Sequence, residues 1–443
     1  MKDINIAIIG VGTVGKSVVK ILQTNKDILK ARCGVNLVPR IGISRDIDDK
    51  ELKSLGIPLS TNIDDAFSDP SIEVIVELIG GVELPYEIAL RALKSGKAFV
   101  TANKAMLAYH RYDLEKQCKN SAIGFEASVC GGIPIIKILK DGLGANHILS
   151  LSGIMNGTSN YILTKMSKSG LNFKVALKEA QDLGYAEADP TLDISGGDTA
   201  HKLLILASIA YGINAKLEDI LVEGIEEISQ IDILFAKEFG YVIKLLGIAK
   251  KEIHSDEVEL RVHPCLISQD KLLAKVDKAM NAISVVGDMV GETVYYGAGA
   301  GGAPTASSVV SDILEIARSK TSPMLGYMSS HENTLKLKPI ESISSKYYIR
   351  LNVTDKPGVL SDIALVFAKY KVSIRTLLQK ETWEQDKTHK KDLDTTCIES
   401  KPKHATLLLS THICAELDIQ KALNEIEKLI CVVCKPYMIR LLD

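Results

Sequence analysis

A set of chemically capable side chains lies near the middle of the chain, where four carboxylates and a lysine fall within sixteen residues. They are Glu187, Asp189, Asp193, Asp198 and Lys202. Asp198 and Lys202 are four residues apart, so a helix would place them on one face. On a solvated face they would form an ordinary ion pair worth about 0.3–0.5 kcal/mol, with Ser195 as the N-cap. The Gly196-Gly197 pair and the clustered carboxylates favour a site that binds an amine and orients an amino acid.

A glycine-rich turn near the N-terminus predicts a dinucleotide site. It follows residues 4–9, an apolar run of strand length, and precedes a helix expected over 13–29. Its members are Gly10, Val11, Gly12, Thr13, Val14 and Gly15. The first glycine would make the tight turn, the second would let the backbone approach a pyrophosphate, and the third would let helix and strand pack closely. The alternative is an ordinary glycine turn, and the strand–turn–helix context favours the cofactor.

The end of the second expected strand bears on the choice between NADP and NAD. Arg45 could form a bidentate fork with the 2′-phosphate of NADP. Asp46, the next residue, would instead favour the ribose hydroxyls of NAD. A solvated turn would explain both residues. We expect NADP, and NAD stays open.

The order of the expected elements divides the chain into domains of different type. Alternating strands and helices over 1–133 predict an α/β domain of the Rossmann type, a parallel sheet with helices on both faces. In that domain, Pro85 is expected to open a helix. Residues 134–304 are expected to form a central α+β domain for catalysis and dimerisation, and a helix at about 305–318 is expected to return to the first domain.

The C-terminal third differs from the rest of the chain in composition and in the order of its expected elements. Residues 319–346 are rich in Ser, Lys and Pro and predict a linker. Residues 347–443 have the order strand, helix, strand, strand, helix, strand, which predicts a small ferredoxin-like domain. The segment 381–403 is charged and lacks apolar periodicity, so we expect a solvated loop there.

The composition excludes several classes of function. Lysine and arginine number 53 against 55 acidic residues, a formal charge of −2, so the chain lacks the basic excess that nucleic-acid or anionic-membrane binding needs. The apolar run 203–213 is shorter than the about 20 residues that span a bilayer. Eight cysteines are too sparse for a disulfide scaffold. Since the N-terminal residues lead directly into a strand, we expect a cytoplasmic protein without a signal peptide.

Five segments resemble the homoserine dehydrogenase family, over roughly residues 1–320. They are VGTVG (11–15), TANK (101–104), NGTSNYIL (156–163), GYAEADPTLDISGGDTAHKL (184–203) and GAGAGGAPTASSVVSD (297–312). The resemblance implies an NAD(P)-dependent oxidoreductase that reversibly reduces L-aspartate 4-semialdehyde to L-homoserine, in threonine, methionine and isoleucine biosynthesis. Residues 347–443 resemble an ACT domain, a module that binds amino-acid effectors.

The same resemblance implies roles for individual residues. The implied catalytic residues are Lys202 as proton donor, Lys104 near nicotinamide and substrate, and Asp198. The implied substrate-binding residues are Glu187, Asp193, Gly157, Thr158 and Tyr185. The implied ligands of a monovalent cation (Na⁺), mostly through backbone carbonyls, are Glu126, Val129, Gly131 and Ile133. Gly302 matches a cofactor contact, and a homodimer or homotetramer is expected.

The turn after the first strand of the ACT-like domain is a candidate effector site. Its residues are Asn352, Asp355, Gly358 and Leu360. Free backbone N–H groups at the helix start suit an amino-acid carboxylate, and the two polar side chains could hold the ammonium group. The alternative is an ordinary strand-to-helix turn. By resemblance the effector would be L-threonine, and deletion of residues 345–443 would then leave an active, threonine-insensitive enzyme.

Two other functions compete with this interpretation. A 2-hydroxyacid dehydrogenase with an ACT tail would carry its glycine turn in mid-chain, whereas here the turn begins at Gly10. A non-catalytic sensor of NADP(H) and amino acids would tolerate the loss of Lys104, Asp198 or Lys202, all of which are present.

Overall fold

The structure is a computed structural model that describes residues 2–48, 50–118, 121–318, 322–328, 335–381 and 404–442. Within these ranges, no helix is long and apolar enough to cross a lipid bilayer. The predicted loop 381–403 lies outside the described residues, except for its first residue.

The N-terminal domain is a six-stranded parallel sheet with strand order β3-β2-β1-β4-β5-β6. Its strands are β1 Asp3–Ile9, β2 Asn36–Ile43, β3 Leu59–Ser60, β4 Ile72–Glu77, β5 Ala98–Thr101 and β6 Ile123–Gly124. Its helices are α1 Thr13–Thr24, α2 Lys26–Cys33, α3 Lys50–Ser54, α4 Asp65–Ser68, α5 Glu83–Lys94 and α6 Lys104–Gln117.

Both faces of this sheet are covered, which explains the continuous apolar run of its first strand. Ile6 and Ile8 of β1 pack with α1 in one cluster, whereas Ala7 and Ile9 pack with α5 in another. A strand buried on both sides is typical of a parallel α/β sheet. The Rossmann-type prediction is therefore confirmed.

Two predictions of local structure in this domain are wrong. The single helix expected over 13–29 is two helices, because the chain bends at Asn25, whose N–H donates to the carbonyl of Ile21 and closes α1. Helix α5 begins at Glu83, two residues before Pro85. Proline is tolerated there because the first N–H groups of a helix have no intrahelical partner.

The central domain contributes strands to a second, larger sheet and also carries helices of its own. Its strands are β7 Ile148–Ile154, β8 Leu221–Val222, β9 Tyr241–Lys250, β10 Glu257–Ser268, β11 Met280–Gly287 and β12 Gly291–Ala298. Its helices are α7 Ile135–Lys137, α8 Gly157–Ser169, α9 Phe173–Asp182, α10 Thr191–Ile194, α11 Gly197–Tyr211 and α12 Gln230–Glu238. Helix α13, Gly302–Ala317, packs instead on α1, where Ala306, Val309 and Ile313 join the core of the N-terminal domain.

The C-terminal domain has the predicted element order and extends the central sheet. Its elements are β13 Lys336–Leu337, β14 Ser344–Ser345, β15 Tyr347–Thr354, α14 Val359–Lys369, β16 Ile374–Glu381, β17 His404–Thr411, β18 Cys414–Ala415, α15 Glu416–Ile426 and β19 Tyr437–Leu442. The sheet order runs β12-β11-β7-β9-β10-β19-β15-β17-β16, and β19 pairs in parallel with β10. The predicted linker is not featureless, since β13 pairs with β10 and β14 with β18.

Strand β15 shows how the C-terminal domain uses its two faces. Tyr347, Ile349 and Leu351 pack under helices α14 and α15. Tyr348, on the opposite face, is fully buried in the core of the central domain. This alternation follows from the two-residue period of a strand. The ferredoxin-like prediction is confirmed, and the domain shares a core with its neighbour.

Candidate active site

The glycine turn has a geometry that only glycine fits at two of its three positions. Gly10 has φ +98°, and a Cβ there would lie 2.7 Å from the Leu78 carbonyl. A Cβ on Gly15 would lie 2.3 Å from the Gly10 carbonyl oxygen, so α1 and the turn pack closely. Gly12 faces open space, and no side chain caps α1. The first N–H groups of α1 therefore face a space that suits a phosphate.

The other predicted cofactor residues border this turn. Val11 is buried, Thr13 is exposed, and Gly302 at the start of α13 is packed so closely that a Cβ would lie 2.8 Å from Ser17 Oγ. Arg45 lies beyond the end of β2 and is exposed, and its side chain has no ion pair with any described residue. The Asp46 carboxylate accepts a hydrogen bond from the N–H of Asp48.

Two lysines from different domains meet at one buried carboxylate. Asp198 Oδ2 accepts from Lys202 Nζ at 2.7 Å, and Asp198 Oδ1 lies 3.0 Å from Lys104 Nζ. Lys202 and Asp198 lie on α11 in the central domain, whereas Lys104 is the first residue of α6 in the N-terminal domain. The pair on α11 is buried, so it is not the solvated ion pair of the alternative interpretation.

Burial and charge together fix the ionisation of this group. Burial alone would raise the pKa of Asp198, but Lys202 and Lys104 outweigh it and hold that pKa well below its ordinary value. Burial would lower the pKa of Lys202, yet Asp198 raises it above the usual value. Both groups are therefore charged at neutral pH, and Lys202 has a proton to donate.

Asn156, which the sequence analysis did not single out, joins the two carboxylates of the site. Its Nδ2 donates to Asp193 Oδ1 at 2.7 Å and to Asp198 Oδ2 at 2.8 Å. Its Oδ1 accepts from the N–H of Ser159 and so caps α8. An asparagine before a helical run is a recognisable N-cap signal, but its second role depends on a segment about 40 residues away in sequence.

The predicted substrate residues are placed unevenly around this centre. Thr158 Oγ1 donates to the Tyr185 carbonyl at 2.7 Å, and Gly157 packs so closely that a Cβ would lie 2.8 Å from the Ala279 carbonyl. Burial raises the pKa of Asp193. Tyr185 and Glu187 are exposed on the segment before α10, and the Glu187 side chain has no ion pair among the described residues.

Asp189, on the carboxylate-rich segment, is exposed and accepts from the N–H of Thr191 in a local turn, so its part in binding an amine stays a prediction. One expectation about this segment is wrong. Ser195 is not the N-cap of α11, because the helix begins after Gly196, which has φ +89° and no side-chain cap.

A buried network, also missed from sequence, positions Lys104. Asn103 caps α6 by accepting from the N–H of Met106, and its Nδ2 donates to the carbonyls of Ile79 and Gly81. Glu77, at the end of β4, accepts from Thr101 Oγ1 at 2.6 Å and from the N–H of Ile79 at 2.7 Å. Burial raises the pKa of Glu77 to about 7. The carboxyl ends of β4 and β5 are thereby tied together beside the site.

The predicted cation ligands lie in a tight turn where carbonyl groups already have partners. The carbonyls of Gly131 and Ile133 accept from Ser308 Oγ and from the N–H of Ile135. The Glu126 carboxylate accepts from two N–H groups at the start of α7. Each of these carbonyls keeps a second lone pair, which a monovalent ion would need, and Val129 is buried in the same turn. Among the described residues, no group of three His, Cys, Asp or Glu side chains could hold a metal.

The candidate effector residues only partly converge. Gly358 has φ +93° at the start of α14, which has no side-chain cap, and Asp355 and Leu360 are exposed beside it. The Asn352 side chain accepts instead from Thr406 Oγ1 on β17 at 3.0 Å. Three of the four residues therefore share an exposed turn.

Comparison with known proteins identifies relatives over the whole chain. Residues 134–314 match the family profile described as homoserine dehydrogenase, residues 10–123 match its NAD-binding domain, and residues 347–431 match the ACT domain. A homoserine dehydrogenase of Helicobacter pylori is 55% identical over 440 residues, which cover 99% of each chain.

Solved structures give the same result. The crystal structure of a homoserine dehydrogenase from Thiobacillus denitrificans is 41% identical, with a TM-score of 0.89, and covers 100% of this chain and 99% of that one. A hyperthermophilic archaeal homoserine dehydrogenase mutant in complex with NADPH is 28% identical, with a TM-score of 0.61, over 72% of this chain and 99% of its own. These matches favour the homoserine dehydrogenase interpretation over the hydroxyacid dehydrogenase and the sensor.

Proposed function

Because the chain belongs to the homoserine dehydrogenase family of NAD(P)-dependent oxidoreductases, we propose that it interconverts L-aspartate 4-semialdehyde and L-homoserine. The observation that supports this most directly is the pairing of Lys104 and Lys202 with the buried Asp198 carboxylate at the junction between the dinucleotide domain and the central domain. The L-homoserine formed would serve threonine, methionine and isoleucine biosynthesis.

The charged group suits the proton transfer that this reaction needs. The glycine turn and the first N–H groups of α1 would hold the phosphates of NADPH, which would supply the hydride. As the aldehyde carbon accepts that hydride, its C=O π bond breaks and negative charge develops on oxygen. Lys202 donates a proton to this oxygen, and Lys104 adds a positive field, which lowers the barrier most in a site closed to water. The neutral amine of Lys202 is then reprotonated from solvent.

The carboxylates would bind the amino-acid end of the substrate. Asp198 is occupied by two lysines, so its main role is to hold Lys202 in place. Asp193 accepts from Asn156 through one oxygen, and its second oxygen would accept from the substrate ammonium. Glu187, on the exposed side, would add a second carboxylate for that group. Gly157, Thr158 and Tyr185 would line the pocket.

Further parts of the proposal concern ligands and assembly. Arg45 would favour NADP over NAD. A Na⁺ ion held by Glu126, Val129, Gly131 and Ile133 would neutralise carbonyl dipoles and stiffen the turn between the first two domains. L-threonine would act at the turn of Asp355, Gly358 and Leu360, with Asn352 beside it, in a homodimer or homotetramer.

The function is tested by mixing the full-length protein with NADPH and L-aspartate 4-semialdehyde and following NADPH absorbance. We expect NADPH oxidation, and NADP⁺ reduction when L-homoserine is supplied instead. A protein that binds NADPH but turns over neither substrate would contradict the proposal, and a 2-hydroxy acid as the preferred substrate would favour the hydroxyacid dehydrogenase alternative.

A further inference from the structure

A buried arginine in the last strand ties the ACT domain to the central domain. The Arg440 side chain is only 2% exposed, and its guanidinium donates to both carboxylate oxygens of Glu223, at 2.7 and 3.0 Å. Its other edge donates to Glu416 of the ACT domain, at 2.5 and 2.9 Å, and Glu416 also accepts from Tyr347. Glu416 thus holds the guanidinium in place within the ACT domain, and two of the remaining N–H donors form a bidentate pair with Glu223.

Glu223 starts a turn, residues 223–225, that lies directly against the segment leading into α11. The N–H of Ile225 donates to the carbonyl of Ile194 at 2.9 Å. A Cβ on Gly224 would lie 2.5 Å from that carbonyl oxygen and 2.9 Å from Ser195 Cα. The two backbones therefore touch, and a displacement of the turn towards residues 194–196 would push on them.

This segment carries the two carboxylates of the active site on its flanks. Asp193 precedes it, and Asp198 follows Gly196, the left-handed residue from which α11 begins. Asn156 holds both carboxylates at hydrogen-bond distance. Arg440 is therefore connected to the substrate site through one ion pair, with Glu223, and one backbone contact, between the turn and residues 194–196.

We propose that Glu223 is a positioning residue for the amino-acid substrate: paired with Arg440, it holds the turn 223–225 against residues 194–196 and so sets the placement of Asp193 and Asp198. The inference rests on the proposed function, since it assumes that Asp193 binds the substrate ammonium and that Asp198 holds Lys202 beside it. It makes the ACT domain a structural part of the substrate site, so that a change at the domain junction changes substrate affinity without a contact to the substrate.

The test compares matched variants of the full-length protein. Glu223→Gln keeps the size of the side chain and removes its charge. Tyr348→Phe is the control, because it also removes a polar link between the same two domains, the 2.6 Å bond to Asp232 on α12, but does not touch the turn. Gly224→Ala inserts a methyl group against Ile194 and leaves both partners of the ion pair in place. For each, KM and kcat for L-homoserine oxidation, KM for NADP⁺ and the thermal unfolding midpoint are measured.

We expect Glu223→Gln and Gly224→Ala to raise KM for L-homoserine about tenfold, the usual size of a coupling between two sites, and to change KM for NADP⁺ less than about twofold. Tyr348→Phe should lower the unfolding midpoint without changing either KM. A KM for L-homoserine in Glu223→Gln equal to that in Tyr348→Phe would overturn the inference. An equal rise in both Michaelis constants would also overturn it, because it would indicate general loosening. Absence of homoserine oxidation in the unmodified protein would instead overturn the proposed function.

Discussion

The two outer domains are joined to the central domain by junctions of different kinds. At the N-terminal junction, helix α13 packs on α1 and polar side chains bridge the domains, with Lys104 at Asp198 and Arg111 at Ser208. At the C-terminal junction, β19 continues the central sheet, and Arg440 and Tyr348 are almost completely buried. The Lys104 side chain, by contrast, is 35% exposed. The first junction is therefore partly open to solvent, whereas the second has the character of a protein core.

This difference between the junctions indicates that the first suits catalysis and the second stabilises the fold. A site between two domains can admit ligands and exclude water once they are bound, which favours catalytic charges there. A continuous sheet with buried ion pairs cannot open without breaking β-ladder hydrogen bonds and leaving charges unpaired, which is costly. We therefore expect changes at the first junction to alter turnover and changes at the second to alter folding or substrate affinity.

The largest effect should follow removal of the second junction. The sequence predicts that deletion of residues 345–443 leaves an active enzyme, but the structure supports the opposite outcome. The deletion would bare the edge of β10, leave Glu223 without Arg440, and expose the pocket that Tyr348 fills against Phe235. We expect the truncated chain to be insoluble or unfolded, as measured by circular dichroism and size-exclusion chromatography. A folded, active truncated enzyme would show that the ACT domain is a separable attachment.

At the first junction, Lys202→Ala should lower kcat by roughly a hundredfold or more, because the developing oxyanion loses its proton donor. NADPH affinity, measured by fluorescence titration, should be unchanged. Lys178→Ala is the matched control, since Lys178 and Asp182 form an exposed ion pair at the same four-residue spacing on α9. Near-normal turnover of the Lys202 variant would mean that the buried Asp198–Lys202 pair has only a structural role.

The part of this arrangement that the sequence could predict is the part encoded locally. The glycine turn, the strand–helix alternation and the Asp198–Lys202 spacing depend on residues a few positions apart, and these three features are present. Asn156, Glu77 and Arg440 act through partners tens to hundreds of residues away, so no local pattern marks them. The fusion of the two sheets was missed for the same reason, since pairing between β10 and β19 is a property of the packed chain.

A smaller effect is expected from pH, through Glu77 near the first junction. Burial raises the pKa of Glu77 to about 7 from an ordinary value near 4.5, so the folded protein holds a proton that the unfolded chain releases. The stabilisation is complete below the unfolded pKa and is lost as pH rises through the folded value, up to roughly 3 kcal/mol.

Glu77→Gln replaces the carboxyl group with an amide that stays uncharged at every pH. The unfolding free energy of this variant should therefore decrease less between about pH 5 and pH 8. Urea titrations across that range measure this slope. Glu73→Gln is the control, because Glu73 lies on the same strand in an exposed ion pair with Lys2. If the Glu77 variant kept the slope of the unmodified protein, the buried carboxyl would not be its source.

The smallest effect should come from Arg45, which is exposed just beyond the end of β2. If its guanidinium grips a 2′-phosphate, Arg45→Ala removes a charge-assisted contact worth about 1.5–3 kcal/mol and should raise KM for NADPH about tenfold to a hundredfold while leaving KM for NADH nearly unchanged. Arg40→Ala removes an exposed arginine from β2 that already faces Asp69, so it should change neither constant. Equal losses for both cofactors would mean that Arg45 supports the fold of the turn, and the preference for NADP would then have to come from other residues.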